Sequence, residues 1–175
     1  MLKAQKKWLA EIEASPKKST TIDISREFLH ILQKFLMHAM FGSDIDSQVR
    51  VTLMVRKTVN DPFEPKEFSL SEAIEATFEQ VSDTIAVRLP NPVWHVLYNA
   101  TGKCHSFTKT EKINDENCKK IRDIVRDYIR KRVSGECKSD VEGNSDVLSL
   151  MLESPDVFSE DDVIDELLDF LVAGT

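Results

Sequence analysis

The chain has 175 residues, of which 41% are hydrophobic, and a formal net charge of -7. That length suits one domain with a real core, and the composition is too apolar for a disordered chain. The acidic balance argues against non-specific nucleic-acid binding, so no nucleic acid is expected among its partners.

Taken in chain order, the pattern is helical almost throughout. The start, Met1 to Lys7, is charged and lacks the apolar run of a secretory signal. Trp8, Leu9 and Ile12 form a short stripe, and Ser15-Pro16 should break it, because proline does not continue a helix comfortably. A second helix follows, with Asp23 or Ser25 able to cap it. Ile24, Phe28, Ile31, Leu32, Phe35, Leu36 and Ala39 recur on one face and predict the buried side. Gly42 suits its C-terminal cap, since glycine takes the left-handed conformation cheaply. The stretch 49–59 is rich in β-branched residues and partly alternating; its helical surroundings favour a helix there.

Ser69 and Glu72 form a capping box for a helix reaching about Arg88, which Pro90 and Pro92 stop. Residues 90–112 read as a long connection carrying Trp94, Tyr98 and Phe107, either functional or a surface loop pinned by its aromatics. Asn114 is expected to cap the next helix. Ile121, Ile124, Val125, Tyr128, Ile129 and Val133 are its buried stripe, and its Lys and Arg residues a solvated face ending at Gly135. A polar linker, 138–144, leads to a short helix starting at Asp146 and ended by Pro155.

The last helix is the most informative. Ser159 can cap it, Glu160, Asp161 and Asp162 complement its dipole, and Phe158 and Val163 stand where a hydrophobic staple does. It begins amphipathic and becomes apolar on every face from Phe170 to Gly174, as a helix entering a protein interior does. Thr175 then follows with no cap or turn, so the expectation is that something is missing beyond it. No Lys or Arg occurs from Ser139 onward, which reads as a solvated acidic stretch with acidic helix starts.

Three cysteines, Cys104, Cys118 and Cys137, form no C-x-x-C pair, which favours free thiols in a reducing compartment. The four histidines make no zinc spacing with them. Nowhere do about 18 apolar residues run together, so no membrane span is expected within this chain.

Phe170-Leu-Val-Ala-Gly-Thr175, after the acidic start and Asp165-Glu-Leu-Leu-Asp169, resembles the I helix of cytochromes P450, with its Ala/Gly-Gly-x-Asp/Glu-Thr pattern. Ala173 and Gly174 match its first two positions and Thr175 its variable third. Residues 22–46 look like the family's E helix and turn, and 146–152 like the segment before the I helix. Trp8's helix would be D, 68–89 would be F and 114–133 would be G. The resemblance implies an all-α fold, a single partial cytochrome P450-like helical domain over 1–175, from the D to the I helix and truncated at both ends.

It also implies a parent protein that inserts an oxygen atom into an apolar small-molecule substrate. Haem would be its cofactor, and a NADPH-dependent reductase or another electron donor its partner. The parent would belong at the cytosolic face of the endoplasmic reticulum membrane, with this fragment itself cytoplasmic. Ala173 and Gly174 would line the oxygen-binding groove, Asp169 and Val172 would face substrate, and Trp94 and Tyr98 would lie at substrate access or a membrane surface. No catalytic residue falls inside the chain. No cysteine has the family's haem-loop setting, and Ile12 stands at the arginine position of its Trp-x-x-x-Arg, so this chain alone should hold no haem and be inactive. The alternatives are a non-catalytic α-helical interaction module and, with less to support it, a complete small helical enzyme.

Overall fold

The computed structural model describes residues 6, 9, 10, 12–14, 24–58, 60–102, 105–141 and 146–173. The described residues are mostly helical, with one small two-stranded sheet. In chain order they form α1 (Ile24–Phe41), α2 (Ile45–Gln48), β1 (Val51–Val55), β2 (Glu64–Phe68), α3 (Leu70–Arg88), α4 (Pro92–Thr101), α5 (Lys109–Val133), α6 (Val147–Leu152) and α7 (Glu160–Ala173). Residues 6, 9, 10 and 12–14 are also helical. Trp8, the break at Ser15-Pro16 and the cap at Asp23 lie outside the described residues, as does the side chain of Ser25.

The core is shared by α1, β1, α3, α5, α6 and α7. Met37, Phe41, Leu53, Leu70, Val125, Leu148, Ile164 and Leu167 lie at its centre. The all-α expectation therefore needs one correction. Residues 51–55 are a strand, paired antiparallel with β2 so that Val51 faces Phe68 and Leu53 faces Lys66. Val51 and Leu53 are buried while Thr52 between them is exposed, which is the period of a strand. β-branched content and alternation decided the outcome over helical surroundings. Asn117, fully buried on α5, holds this strand: its Oδ1 accepts from Met54 N at 3.2 Å and its Nδ2 donates to Met54 O at 2.9 Å.

The buried face of α1 is also not the one expected. Gln33, Met37, Met40 and Phe41 turn inward, whereas Ile24, Phe28 and Phe35 are 77%, 62% and 67% exposed. The helix has more apolar side chains than one face can hold, and the core takes the larger set near its C-terminus.

Three boundaries differ for local reasons. The connection 90–112 contains α4, because Pro92 occupies a first-turn position where its missing N–H is harmless. Asn91 caps it through Val93 N at 3.1 Å, and Gly102 closes it at φ +65°. α5 starts five residues before Asn114. Its box is Thr108 and Glu111, and Asn114 is a buried interior residue. Val133, expected to be buried, is 69% exposed.

Other boundaries agree. The Ser69–Glu72 box starts α3, Asp146 caps α6, and Ser159 Oγ accepts from Asp162 N at 3.2 Å at the start of α7. Phe158 and Val163 both pack on the core.

Candidate functional site

α7 lies against α1, α3 and α5. Where it meets α3 and α5 there is a groove of about 250 Å³. Each helix supplies one stripe at helical spacing: Ile74, Thr77, Phe78 and Val81 from α3, Cys118, Ile121 and Arg122 from α5, and Asp165, Leu168, Asp169 and Val172 from α7. The walls are mainly apolar. Ile74 and Ile121 are buried, and Leu168 and Val172 pack on the core.

Two polar groups in this groove lack partners among the described residues. The Thr77 hydroxyl is buried and makes no hydrogen bond, an arrangement costing about 1–3 kcal/mol in a protein interior. Asp169 is exposed and has no ion pair, whereas Arg122 is engaged by Asp165 and, at 3.8 Å, by Asp161. Burial pushes the Cys118 thiol above its usual range, and the charge of Asp115 pushes the same way.

At the far end of α3 a second arrangement ties α4 down. Arg88 Nε donates to Glu111 Oε1 at 2.7 Å and its Nη2 donates to His105 O at 2.7 Å. Its guanidinium lies over Trp94 at 4.3 Å, and Trp94 meets Phe107 with ring centroids 5.2 Å apart. The Arg88 hydrogen bond outweighs burial and, with backbone N–H groups of Thr108 and Phe107, holds the Glu111 carboxyl down at about 2. Between the two ends, Asn114 Nδ2 donates to Gln80 O at 3.2 Å and Thr84 Oγ1 at 2.9 Å. Its own Oδ1 and Gln80 Oε1 stay unpartnered.

The residues singled out from sequence thus separate. Asp169 and Val172 share the groove. Trp94 is half-buried under Arg88 and Tyr98 is 55% exposed on α4. Neither lines the groove, whose α3 wall ends at Val81, seven residues or roughly 10 Å of helix before Arg88. Ala173 is exposed at the end of α7, and Gly174 lies outside the described residues.

Sequence reasoning missed Thr77, Phe78, Val81 and Cys118. The signal was present as an i, i+3, i+4, i+7 stripe on α3 running from Ile74. A haem iron would need a thiolate, and Cys118 does not fit: its burial and its acidic neighbour favour the neutral thiol. Among the described residues no cluster of His, Cys, Asp and Glu could hold a metal ion, and no helix is long and apolar enough to cross a membrane. In comparisons with known proteins, the chain matches no family model, no curated protein and no solved structure.

Proposed function

We propose that the chain is the D-to-I helix part of a haem-thiolate monooxygenase of the cytochrome P450 family, with α7 as the I helix. One observation carries this reading. Asp169 and Val172, assigned to substrate from the resemblance alone, share an apolar groove with α3, which the resemblance identifies as a helix over substrate access. The order α1, α3, α5, α6, α7 agrees with E, F, G, the segment before I, and I.

In this reading the whole protein inserts one oxygen atom into an apolar substrate, using haem and electrons from a reductase partner. The described residues supply the wall that binds and orients that substrate. In this reading the haem ligand lies on the rest of the protein, so the chain alone is expected to be inactive. The exposed Leu89, Val93, Val96 and Tyr98 around α4 are the surface this reading sets against a membrane.

Sequencing the native transcript past the Thr175 codon tests the proposal. The expected result is an acid and a threonine next, then Glu-x-x-Arg and a cysteine-bearing haem loop. A stop codon in the mature transcript would withdraw catalysis. A non-catalytic helical interaction module would then stand, favoured by the uncovered apolar residues Ile24, Phe28 and Phe35 of α1.

A further inference from the structure

We infer that the groove between α3, α5 and α7 takes an amphiphilic cation, with an apolar body in the trough and a protonated amine at the Asp169 carboxylate. The inference rests on the reading of Asp169 and Val172 as substrate-lining, and it names the substrate class for that site.

Charge selects the sign of the ligand. Arg122, Asp165 and Asp169 are the charged side chains lining the groove. Arg122 is engaged by Asp165 and Asp161, so its charge is answered within the protein. Asp169 has no partner among the described residues, which leaves the groove with an uncompensated negative charge. The approach has the same sign: α7 carries Glu160, Asp161, Asp162, Asp165, Glu166 and Asp169 and no Lys or Arg, and the whole chain carries -7. Such a field draws cations in and turns carboxylates away.

The apolar walls select the rest of the ligand. Ile74, Val81, Leu168 and Val172 offer no hydrogen bond to a polar body. At about 250 Å³ the groove is smaller than the roughly 300–1,000 Å³ of drug-sized sites, so a short alkyl or single-ring body fits it best.

The test is a titration of the 175-residue chain with octylammonium, 1-octanol and octanoate. Binding is followed by NMR shifts of the Ile74, Val81, Leu168 and Val172 methyl groups. Octylammonium should bind roughly threefold to tenfold more tightly than octanol, with octanoate weakest, and lose that advantage as salt rises toward 1 M. Asp169→Asn should bring octylammonium level with octanol and leave octanol unchanged. Asp169 is exposed, so an unchanged thermal melt should accompany the variant. If the three probes bind equally, or the variant keeps the preference, the cation assignment fails and the groove remains an apolar substrate site. If no probe shifts these methyl groups, both the inference and the substrate-lining reading of the groove fall. The transcript test of the monooxygenase family is independent of either result.

Discussion

Arginine meets carboxylate in two settings in this molecule. Along the α5–α7 seam, Arg122, Arg126 and Arg130 follow one another at one-turn intervals and engage Asp165, Asp161 and Glu160. These groups are solvated, and Asp161 is 69% exposed. At the end of α1, Arg132 meets Asp146 at 3.2 Å with side-chain exposures of 7% and 0%. That pair is built into a node: Arg132 Nη2 also donates to Phe41 O at 2.5 Å, and Asp146 caps α6 through Ser149 N at 2.9 Å. Tyr128 closes it with a hydrogen bond to Ser43 at 2.5 Å. The chemistry is shared, but water solvates and screens the first set and is shut out of the second. The seam orders two helices cheaply and reversibly, whereas the node must be complete or the interior holds an unanswered charge.

Asp146→Asn offers the sharpest way to break this contrast. It leaves the Arg132 guanidinium, whose Nε and Nη1 are already unpartnered, without its counter-charge. Denaturant unfolding should show a loss of about 3–5 kcal/mol. Gly42→Ala attacks the same node sterically. Gly42 has φ +67°, and an added Cβ would lie 2.5 Å from Asp146 Oδ2 and 2.7 Å from Arg132 Nη2, with Ser139 Oγ closer still. A loss of roughly 2–4 kcal/mol is expected, combining αL strain with displacement of a buried ion pair.

Glu111→Gln tests the intermediate case, because the Arg88–Glu111 pair is 21% and 6% exposed. The folded carboxyl at about 2 lies below its ordinary 4.5, so its contribution is present above about pH 4.5 and fades as pH falls toward 2. Wild type should lose roughly 2–3 kcal/mol of stability over that window, and the variant should begin with that loss and show a flatter acid limb. Asp146 acts with the same sign. Burial raises its carboxyl, and hydrogen bonds from Ser139 and Ser149 together with Arg132 outweigh that and hold it down. The smallest effect belongs to Arg126→Ala on the seam: under about 1 kcal/mol, shrinking further in high salt. A loss above 2 kcal/mol there would erase the distinction between seam and node.

Much of the helical framework was legible because caps and periodicity are local. The Ser69–Glu72 box, Asp146, Ser159, Gly42 and Gly135 each mark an end that a few residues decide. The capping box at Thr108 was equally local and was passed over for Asn114, whose side chain works across helices. The face of α1 was illegible for a different reason: its helical moment says which residues are apolar, and only the neighbouring helices say which of them are covered. The strand at Val51–Val55 likewise needed its partner at Glu64–Phe68, a segment with two acids, a lysine and a proline that does not announce itself as a strand. Of the groove, Asp169 and Val172 were reached through the resemblance, and the remaining walls on α3, α5 and α7 required the fold.

The Gly42 node has a consequence in time as well as in space. Its contacts join residue 42 to residues 132, 139 and 146, about a hundred positions later. A ribosome adding roughly 5–20 residues per second needs about 5–20 s to supply those hundred or so residues. Until they are made, α5, α6 and α7 cannot together cover Met37, Met40 and Phe41. During synthesis the apolar end of α1 is thus exposed surface first and part of a core afterwards.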